Sequence, residues 1–394
     1  MRKIGLVLCL CILLTGCAPI AVIAPTGAAT TSPAQSTGDE PSVTTKVPET
    51  VETTAAATTE PADPILELLE IMSLEELVGQ LFLVAPPENP LEAISTYHFG
   101  GYILFDNAFK GQTPSSVTQT LATYQSAAAI PMLIAVDEEG GSVCRVSTYP
   151  AFRASRFPSP RKLFEQGGLE LCVQTEEEKS KLLRDLGINV NMAPVCDITT
   201  DSSAFMYSRS LGQSAEITAQ YIAAVVKAMN QYQTGSVLKH FPGYGNNTDT
   251  HVAMAVDNRK RTELENVDLV PFQAGIDAGC GAVLVSHTIV TDIDSEFPAT
   301  LSPAVHNYLR TNMHFDGVII TDDLEMDAIA DHYGAGEAAV LAVLAGNDIL
   351  CSWSYEVQYD AVLDAVRTGR IPIELLNASV LRILRWKQQL GLFS

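Results

Sequence analysis

The chain has 394 residues, 47% of them hydrophobic, which is enough to bury a large core in one large domain or two modest ones. Its 46 acidic residues outnumber its 24 lysines and arginines, and the formal net charge of −22 argues against nucleic acid or anionic lipid surfaces as partners. A simpler interpretation of the acidity is that it keeps the protein soluble.

The first residues predict a secretory leader. Arg2 and Lys3 precede an apolar run over residues 4–14 that is too short to span a membrane stably. The run ends in LTGC, which resembles a bacterial lipobox, where the cysteine receives a lipid and becomes the mature N-terminus. We therefore expect residues 1–16 to be removed and Cys17 to be lipidated. The alternative is an ordinary signal peptide that contains a cysteine.

Residues 17–63 predict a disordered tether. They are rich in Thr, Ala, Pro, Ser and Glu, so they lack the apolar surface needed to fold. A coil of this length can hold a domain away from a membrane. The expected protein is thus extracytoplasmic and anchored to the cell membrane through Cys17, with its folded domain in residues 64–394.

The cysteines that follow the tether are expected to be free thiols rather than disulfides or metal ligands. Five cysteines remain there, an odd number without metal-ligand spacing, so buried free thiols are expected and a single disulfide stays open. They are Cys144, Cys172, Cys196, Cys280 and Cys351.

From Pro64 onward, short apolar runs alternate with longer helical patterns. Ser73 and Glu76 predict a capping box that opens a helix. Helices are also predicted over residues 175–186, 213–231, 263–278, 302–312 and 336–345. Eight strands are predicted over residues 81–85, 101–105, 132–136, 188–192, 236–240, 282–286, 317–321 and 348–351. Because these runs are continuously apolar, they are typical of parallel strands buried on both faces.

This regular alternation predicts an α/β fold, a (β/α)₈ TIM barrel forming a single catalytic domain. Polar residues recur where the predicted strands end, and these ends converge on the face of a barrel that carries active sites. They are Asp137, Asn191, Lys239, His240, Ser286, His287 and Asp322. The pattern therefore indicates an enzyme.

Four segments carry a family resemblance. They are AVDEEGGSVCR at 135–145, NMAPVCD at 191–197, KHFPGYG at 239–245 followed by DTH at 249–251, and TDDLEM at 321–326. In this order, on successive strand ends, they resemble glycoside hydrolase family 3 on its bacterial β-N-acetylglucosaminidase branch, from about Ser73 to the C-terminus. The resemblance implies a retaining β-N-acetylhexosaminidase that removes terminal, non-reducing β-linked N-acetylglucosamine and needs no cofactor or metal. Peptidoglycan fragments, chitin oligomers and glycoconjugates all remain open as substrates.

The resemblance also implies catalytic roles. Asp322 is expected to be the nucleophile that forms the glycosyl-enzyme intermediate, with Asp323 as the competing carboxylate that could instead cap a helix. Asp249 and His251 are expected to form a dyad in which the imidazole is the general acid and base and Asp249 orients it. Without the resemblance, an Asp and a His on a surface loop would be interpreted as solvated and idle.

Five further residues are expected to hold the sugar hydroxyls. They are Asp137, Arg145, Arg209, Lys239 and His240. The alternative for both arginines is a structural salt bridge. Two positions depart from the branch, which usually has arginine at Ser142 and histidine at Tyr244. Both departures bear on the position of the loop or on the subsite for the leaving sugar, so the natural substrate stays open.

Three other functions stay open at this point. A metal-dependent barrel hydrolase is disfavoured because no His-x-His follows the first strand and no His-Glu-x-x-His occurs. A sugar-binding lipoprotein without catalysis is a second alternative. Phosphorolysis is the third, because a histidine acid/base would not repel phosphate from the anomeric carbon.

Overall fold

The computed structural model describes residues 63–245 and 255–393, in which eight short parallel strands form one sheet. The strands are β1 Phe82–Val84, β2 Gly101–Leu104, β3 Leu133–Val136, β4 Val190–Asn191, β5 Gly235–Phe241, β6 Ala282–Val285, β7 Val318–Thr321 and β8 Leu350–Ser352.

The sheet closes on itself in sequence order. Each strand from β1 to β6 pairs in parallel with the next one along the chain. β1 also pairs with β8, with Phe82 opposite Leu350. A parallel bridge between Ile320 and Ile349 joins β7 to the segment that enters β8. The predicted (β/α)₈ barrel is confirmed, and all eight strands lie within or beside their predicted ranges.

Helices surround the barrel, together with one antiparallel and one parallel pair of short strands. The helices are α1 Pro64–Ile71, α2 Leu74–Gln80, α3 Pro90–Tyr97, α4 Pro114–Ala127, α5 Pro160–Leu186, α6 Ala215–Gln231, α7 Arg261–Asn266, α8 Leu269–Asp277, α9 Pro303–Asn307, α10 Asp327–Ala330, α11 Ala335–Ala345, α12 Tyr355–Arg367 and α13 Ile373–Gln389. A hairpin of Glu138–Gly140 with Val143–Cys144 follows β3, and Val256–Asp257 pairs in parallel with Ile289–Val290.

The predicted capping box is confirmed at the start of α2. The Ser73 backbone N–H donates to the Glu76 carboxylate at 2.8 Å, and the Glu76 N–H donates to the Ser73 hydroxyl at 3.3 Å. A helix leaves four N–H groups without internal partners at its start. The capping box gives two of them an acceptor.

One predicted helix is wrong in its continuity. The pattern over residues 263–278 predicts a single helix, but the chain breaks at Val267, which has φ −128° and ψ −73°, into α7 and α8. The Asp268 carboxylate is buried and accepts a 2.7 Å hydrogen bond from Arg259. This ion pair holds Asp268 beside the break, at a point where apolar periodicity alone favours an unbroken helix.

Two other predicted helices differ in length and type. The pattern over residues 175–186 captures only the second part of α5, which bends at Gly167 and Gly168. Over residues 302–312, α9 continues as a π-helical turn, Tyr308–Asn312. Helices 213–231 and 336–345 are confirmed within two residues at their ends.

Alternate strand residues face two different cores, as both-sided burial requires. Leu133 and Ala135 of β3 belong to the cluster inside the barrel, whereas Ile134 and Val136 face the surrounding helices. At the amino-terminal ends of the strands, Trp386 of α13 closes the barrel interior. A Cβ on Gly281 would lie 1.9 Å from the indole nitrogen of Trp386, so the approach of the ring requires glycine there.

Candidate active site

A cleft of about 470 Å³ opens at the carboxyl-terminal ends of the strands. This volume lies within the range of small-molecule sites, roughly 300–1,000 Å³. The structure brings six of the predicted site residues into its lining: Asp137, Arg145, Arg209, Lys239, His240 and Asp322. Their convergence follows from the barrel, because side chains that end parallel strands meet at one face.

The segment after β3 is shaped by a buried carboxylate. Glu138 accepts backbone N–H groups from Arg145 at 2.9 Å, Val146 at 2.7 Å and Ser147 at 3.1 Å. Three N–H donors on one carboxylate form a stable loop anchor. The loop therefore holds Arg145 at the rim of the cleft.

The glycine pair in this segment is required by close packing. Gly140 has φ +108°, and a Cβ there would lie 2.3 Å from the carbonyl oxygen of Pro158. Any L-residue at Gly140 would be strained in its backbone and blocked by its neighbour. The tight turn keeps Asp137 and Arg145 at the same mouth.

A buried ion-pair network forms the floor of the cleft. The Lys239 ammonium lies 2.8 Å from Asp137 and 2.7 Å from Glu139. Arg209 makes two hydrogen bonds to Glu139, at 3.0 and 2.7 Å. Such bidentate pairing fixes the plane of the Arg209 guanidinium, which lines the cleft.

Glu139 stays ionised in this network. Burial by itself would raise the pKa of its carboxyl, but the charges of Arg209 and Lys239 outweigh burial and hold the pKa far below its usual range. The same pairing raises the pKa of Lys239 against the effect of burial. Fixed charges and hydrogen-bond donors of this kind suit a set of sugar hydroxyls.

His240 is oriented by a second buried carboxylate. Its Nδ1 lies 2.7 Å from Asp197 Oδ2, and its backbone N–H donates to the same oxygen at 3.1 Å. The other oxygen of Asp197 accepts the backbone N–H of Tyr244 at 2.8 Å. Arg209 Nη2 lies 3.3 Å from His240 Nε2. Since a guanidinium only donates, Nε2 accepts and Nδ1 carries the proton toward Asp197.

Asp322 and Asp323 follow β7 and both line the cleft. The Asp322 backbone N–H donates to the Val285 carbonyl of β6 at 3.0 Å, which fixes Asp322 to the barrel rim. One Asp323 oxygen accepts the Glu325 N–H at 3.0 Å, as a turn-forming carboxylate does. Burial, reinforced by the neighbouring Asp322 charge, raises the pKa of Asp323 to about 6.

Both arginines form the ion pairs that the structural alternative expects, and both also line the cleft. Arg209 pairs with Glu139, which is buried. Arg145 lies at the rim, 3.5 Å from Asp106, with its guanidinium carbon 5.6 Å from the centre of the Phe105 ring. Ion pairing and substrate contact are therefore compatible at each position.

Some site residues escape sequence reasoning. Glu139 and Asp197 lie in the segments 135–145 and 191–197, but the sequence predicts no function for them. In the structure, Glu139 pairs with Arg209 and Lys239, and Asp197 pairs with His240. Asn191, singled out as a strand-end residue, accepts the Glu138 N–H at 3.0 Å and so supports the same loop. The signal that could have found them is charge balance, because buried arginine and lysine side chains require carboxylate partners.

Several predicted residues lie outside the described residues: Cys17 with the leader and tether, and the dyad Asp249 and His251. The described chain stops at Gly245 and resumes at Ala255. A cluster holds the resumed segment in place: Arg259 pairs with Asp257 and Asp268, each at 2.7 Å.

Further observations concern the described part of the chain alone. All five of its cysteines are buried free thiols, as expected. No group of three or more His, Cys, Asp or Glu side chains there is arranged to hold a metal ion. Nor is any helix between residues 63 and 393, the gap at 246–254 aside, long and apolar enough to cross a membrane.

A closed barrel with carboxylates and fixed cations at its mouth defines a barrel enzyme with a polar cleft, an arrangement typical of glycoside hydrolases. Residues 73–386 match the family described as the glycosyl hydrolase family 3 N-terminal domain. The chain therefore belongs to glycosyl hydrolase family 3 and is a glycoside hydrolase.

Named relatives span most of the chain. It is 28% identical over 376 residues to beta-hexosaminidase LpqI of Mycobacterium tuberculosis, covering 92% of each chain. A beta-hexosaminidase of Stenotrophomonas maltophilia strain K279a is 36% identical over 279 residues, which are 68% of this chain and 79% of that one. A protein of Arthroderma benhamiae, named an uncharacterized secreted glycosyl hydrolase, is 29% identical over 327 residues, 78% of this chain and 90% of its own.

Solved structures of the same family are similar in fold. A family 3 beta-N-acetylglucosaminidase from Paenibacillus sp. str. FPU-7 has a TM-score of 0.76 and 34% identity over 82% of this chain, which spans 63% of that protein. The structure of M. tuberculosis LpqI has a TM-score of 0.75 and 28% identity, covering 83% of this chain and 96% of that one.

Proposed function

We propose that this chain is a retaining β-N-acetylhexosaminidase that removes terminal, non-reducing β-linked N-acetylglucosamine from oligosaccharides. The observation that carries the proposal is the cleft, where Asp322 at the end of β7 lines the same cavity as the network of Asp137, Lys239 and Arg209. The names of relatives that match most of the chain, beta-hexosaminidase and beta-N-acetylglucosaminidase, support the choice of sugar.

In the proposed reaction Asp322 is the nucleophile. One of its carboxylate oxygens bonds to the anomeric carbon while the glycosidic C–O bond breaks, which gives a covalent glycosyl-enzyme. Its position at the barrel rim supports this role, since it is a cleft carboxylate directly after a strand. Asp323 is less suited, because burial raises its pKa to about 6.

His251 is the proposed general acid and base. It gives a proton to the departing oxygen, then removes one from the water that attacks the intermediate, and Asp249 orients the ring. Support comes from the DTH sequence at 249–251, which matches the family branch. The Arg259 cluster at the end of this segment also supports the proposal, because it fixes the position at which the segment rejoins the barrel.

The sugar itself is proposed to lie against the network of fixed charges. Asp137 accepts hydroxyl protons while Lys239, Arg209 and Arg145 donate, and His240 completes the set. Hydrogen bonds of this charge-assisted kind are about twice as strong as neutral ones, and they can strengthen as the ring flattens in the transition state.

Cellular location is part of the proposal. We infer an extracytoplasmic enzyme with a leader at residues 1–16, lipid on Cys17, a tether at residues 17–63 and the catalytic domain from residue 64, with a role in peptidoglycan or chitin breakdown. The lipobox-like LTGC sequence supports the anchor, and the relative named as secreted supports the compartment.

The proposal is tested with p-nitrophenyl β-glycosides of N-acetylglucosamine, N-acetylgalactosamine and glucose, each with and without phosphate. We expect the N-acetylglucosaminide to be cleaved fastest, with free N-acetylglucosamine as product in both buffers. Asp322→Asn is the matched inactive control. Release of the sugar 1-phosphate would reassign the enzyme as a phosphorylase, and no turnover of any glycoside by the wild type would reject the hydrolase.

A further inference from the structure

A pair of aromatic rings, the half-buried Phe105 and the exposed Trp353, lies at the rim of the cleft and has no part in the reaction so far. Phe105 follows β2 and Trp353 follows β8, so the two residues flank β1 at the catalytic mouth. Their ring centres are 4.8 Å apart with the planes 38° to each other. Phe105 lines the cleft, and Trp353 is 46% exposed.

Exposure of an indole to this extent calls for an explanation. Tryptophan contributes a large apolar surface, and such rings are enriched at binding sites where one face is left for a partner. The only other tryptophan, Trp386, is 3% exposed and closes the opposite end of the barrel. Trp353 is therefore a surface residue whose ring is accessible to a ligand at the rim of the cleft.

The pair is continuous with the reacting centre. The Trp353 side chain reaches the carboxyl of Asp323, whose pKa it lowers against the larger effect of burial. Asp323 is adjacent to the proposed nucleophile Asp322. On the other side, the Arg145 guanidinium lies over Phe105 at 5.6 Å. A ligand that occupies the cleft beyond Asp322 would thus contact the two rings.

The order of strands around the mouth gives the direction of the substrate. The network that holds hydroxyls comes from the ends of β3 and β5 and from the loop after β4. Asp322 comes from β7, and the aromatic pair from β8 and β2. A terminal sugar held by the network presents one face of its anomeric carbon to Asp322, and the leaving oxygen departs from the opposite face. The leaving ring then extends over the rim of the cleft, where Phe105 and Trp353 lie.

Charge indicates the kind of leaving group. Each arginine and lysine that lines the described cleft already pairs with a carboxylate: Arg145 with Asp106, Arg209 with Glu139, and Lys239 with both Asp137 and Glu139. The Asp323 carboxyl, which Trp353 contacts, adds acidity near the rings. A leaving sugar that carries a carboxylate would meet this acidity without a free cation among the described lining residues.

We propose that Phe105 and Trp353 form the leaving-group subsite and that it takes an uncharged pyranose ring, such as a second N-acetylglucosamine, by stacking on the indole face. This inference rests on the proposed function, because it presumes that N-acetylglucosamine occupies the cleft. It names a neutral amino-sugar oligomer as the substrate class, where the catalytic groups alone accept any β-N-acetylglucosaminide.

The test compares a substrate with a leaving-group ring and one without. N,N′-diacetylchitobiose and methyl β-N-acetylglucosaminide are hydrolysed by wild type, Trp353→Ala, Trp353→Phe and Ile71→Ala, and kcat/KM is measured for each. Ile71 lies on α1, is 80% exposed and serves as the control for loss of exposed apolar surface. Thermal unfolding of each variant checks that the fold is retained.

We expect Trp353→Ala to lower the ratio of kcat/KM for chitobiose over the methyl glycoside roughly tenfold, the size of one lost aromatic contact. Trp353→Phe keeps a ring face and loses the N–H, so its ratio should stay within about twofold of wild type, as should that of Ile71→Ala. An unchanged ratio in Trp353→Ala, or equal losses in the Ala and Phe variants, would overturn the subsite.

A third substrate tests the charge argument. A disaccharide of N-acetylglucosamine linked to N-acetylmuramic acid carries a carboxylate on the leaving sugar, and we expect the wild type to favour chitobiose over it in kcat/KM. The opposite preference would overturn the neutral-sugar assignment. If the wild type cleaves neither chitobiose nor the methyl glycoside, the proposed function fails; if it cleaves both, only the subsite is at stake.

Discussion

At the scale of single residues, the two adjacent carboxylates after β7 differ in their surroundings. Asp323 holds a turn through the Glu325 N–H and is protonated below about pH 6, since burial raises its pKa to about 6. Asp322 is bound to the rim through its backbone and faces the cleft. Two neighbouring groups of the same type thus have environments suited to different roles.

This difference predicts unequal effects of substitution. Asp322→Asn should lower kcat by at least about 10³-fold, because the covalent route is lost. Asp323→Asn, the matched control, keeps the shape and should cost far less. A fluorinated slow substrate should label Asp322, as read by mass spectrometry of peptides. Labelling of Asp323 would reverse the assignment.

Glu139 illustrates how a buried residue can act through its partners. It balances Arg209 and Lys239, so Glu139→Gln leaves two cations with less compensation. Truncating one partner of a buried charge pair typically costs about 2–5 kcal/mol. We predict a roughly 10- to 100-fold loss in kcat/KM, mainly through KM, because the side chains that position the sugar lose their orientation.

The control for this prediction is Glu178→Gln, which breaks the partly exposed pair with Arg153 and should have little effect. Glu139→Asp keeps the charge and should recover part of the KM. If Glu139→Gln lowered the unfolding temperature but left KM unchanged, Glu139 would be structural only.

At the scale of elements, α13 carries a buried lysine below the barrel. The Lys387 ammonium donates a 2.6 Å hydrogen bond to Gln80, the last residue of α2, and its side chain is buried. Burial lowers the pKa of Lys387 to about 7. The folded protein therefore disfavours the charged form that the unfolded chain keeps up to its ordinary pKa of 10.5.

The sign of the pH dependence follows. Between about pH 7 and pH 10.5 the unfolded chain binds the Lys387 proton and the folded protein does not. This residue's contribution to the free energy of unfolding thus rises with pH, by up to about 1.4 kcal/mol per unit. Below pH 7 the folded protein carries the charged Lys387 side chain, and the full cost of burying that charge lowers the free energy of unfolding.

Lys387→Met should remove this rise of the free energy of unfolding with pH and should increase the free energy of unfolding at neutral pH. The measurement is the denaturant midpoint at several pH values from 6 to 10, compared with wild type and with Lys162→Met. Lys162 is exposed on α5 and serves as the matched control. Parallel curves for wild type and Lys387→Met would mean that Lys387 titrates alike in both states.

At the scale of the whole molecule, the prediction concerns attachment to the cell. Cys17→Ser should move the protein from the membrane fraction to the medium without changing turnover, because the catalytic domain keeps its sequence. Cys11→Ser, a cysteine within the leader, is the matched control and should stay membrane-bound. Finding wild type wholly in the medium with an unacylated N-terminus would rule out the anchor.

The sequence by itself determined the barrel and most of the cleft lining. Continuous apolar runs mark strands buried on both faces, and the residues that end them meet at one mouth whatever the details of packing. The sequence alone therefore predicts that Asp137, Lys239, His240 and Asp322 lie together, as they do in the cleft. These are local patterns, readable within a few residues.

Tertiary structure alone decided the contacts that join distant segments. Arg209 meets Glu139 across 70 residues, and His240 meets Asp197 across 43. Asp268 pairs with Arg259 beside the break between α7 and α8, where periodicity predicts a continuous helix. Phe105 and Trp353 become neighbours only because β8 closes onto β1. The physical reason is shared: an ion pair or a ring contact depends on the distance between folded elements, and no periodicity along the chain encodes that distance.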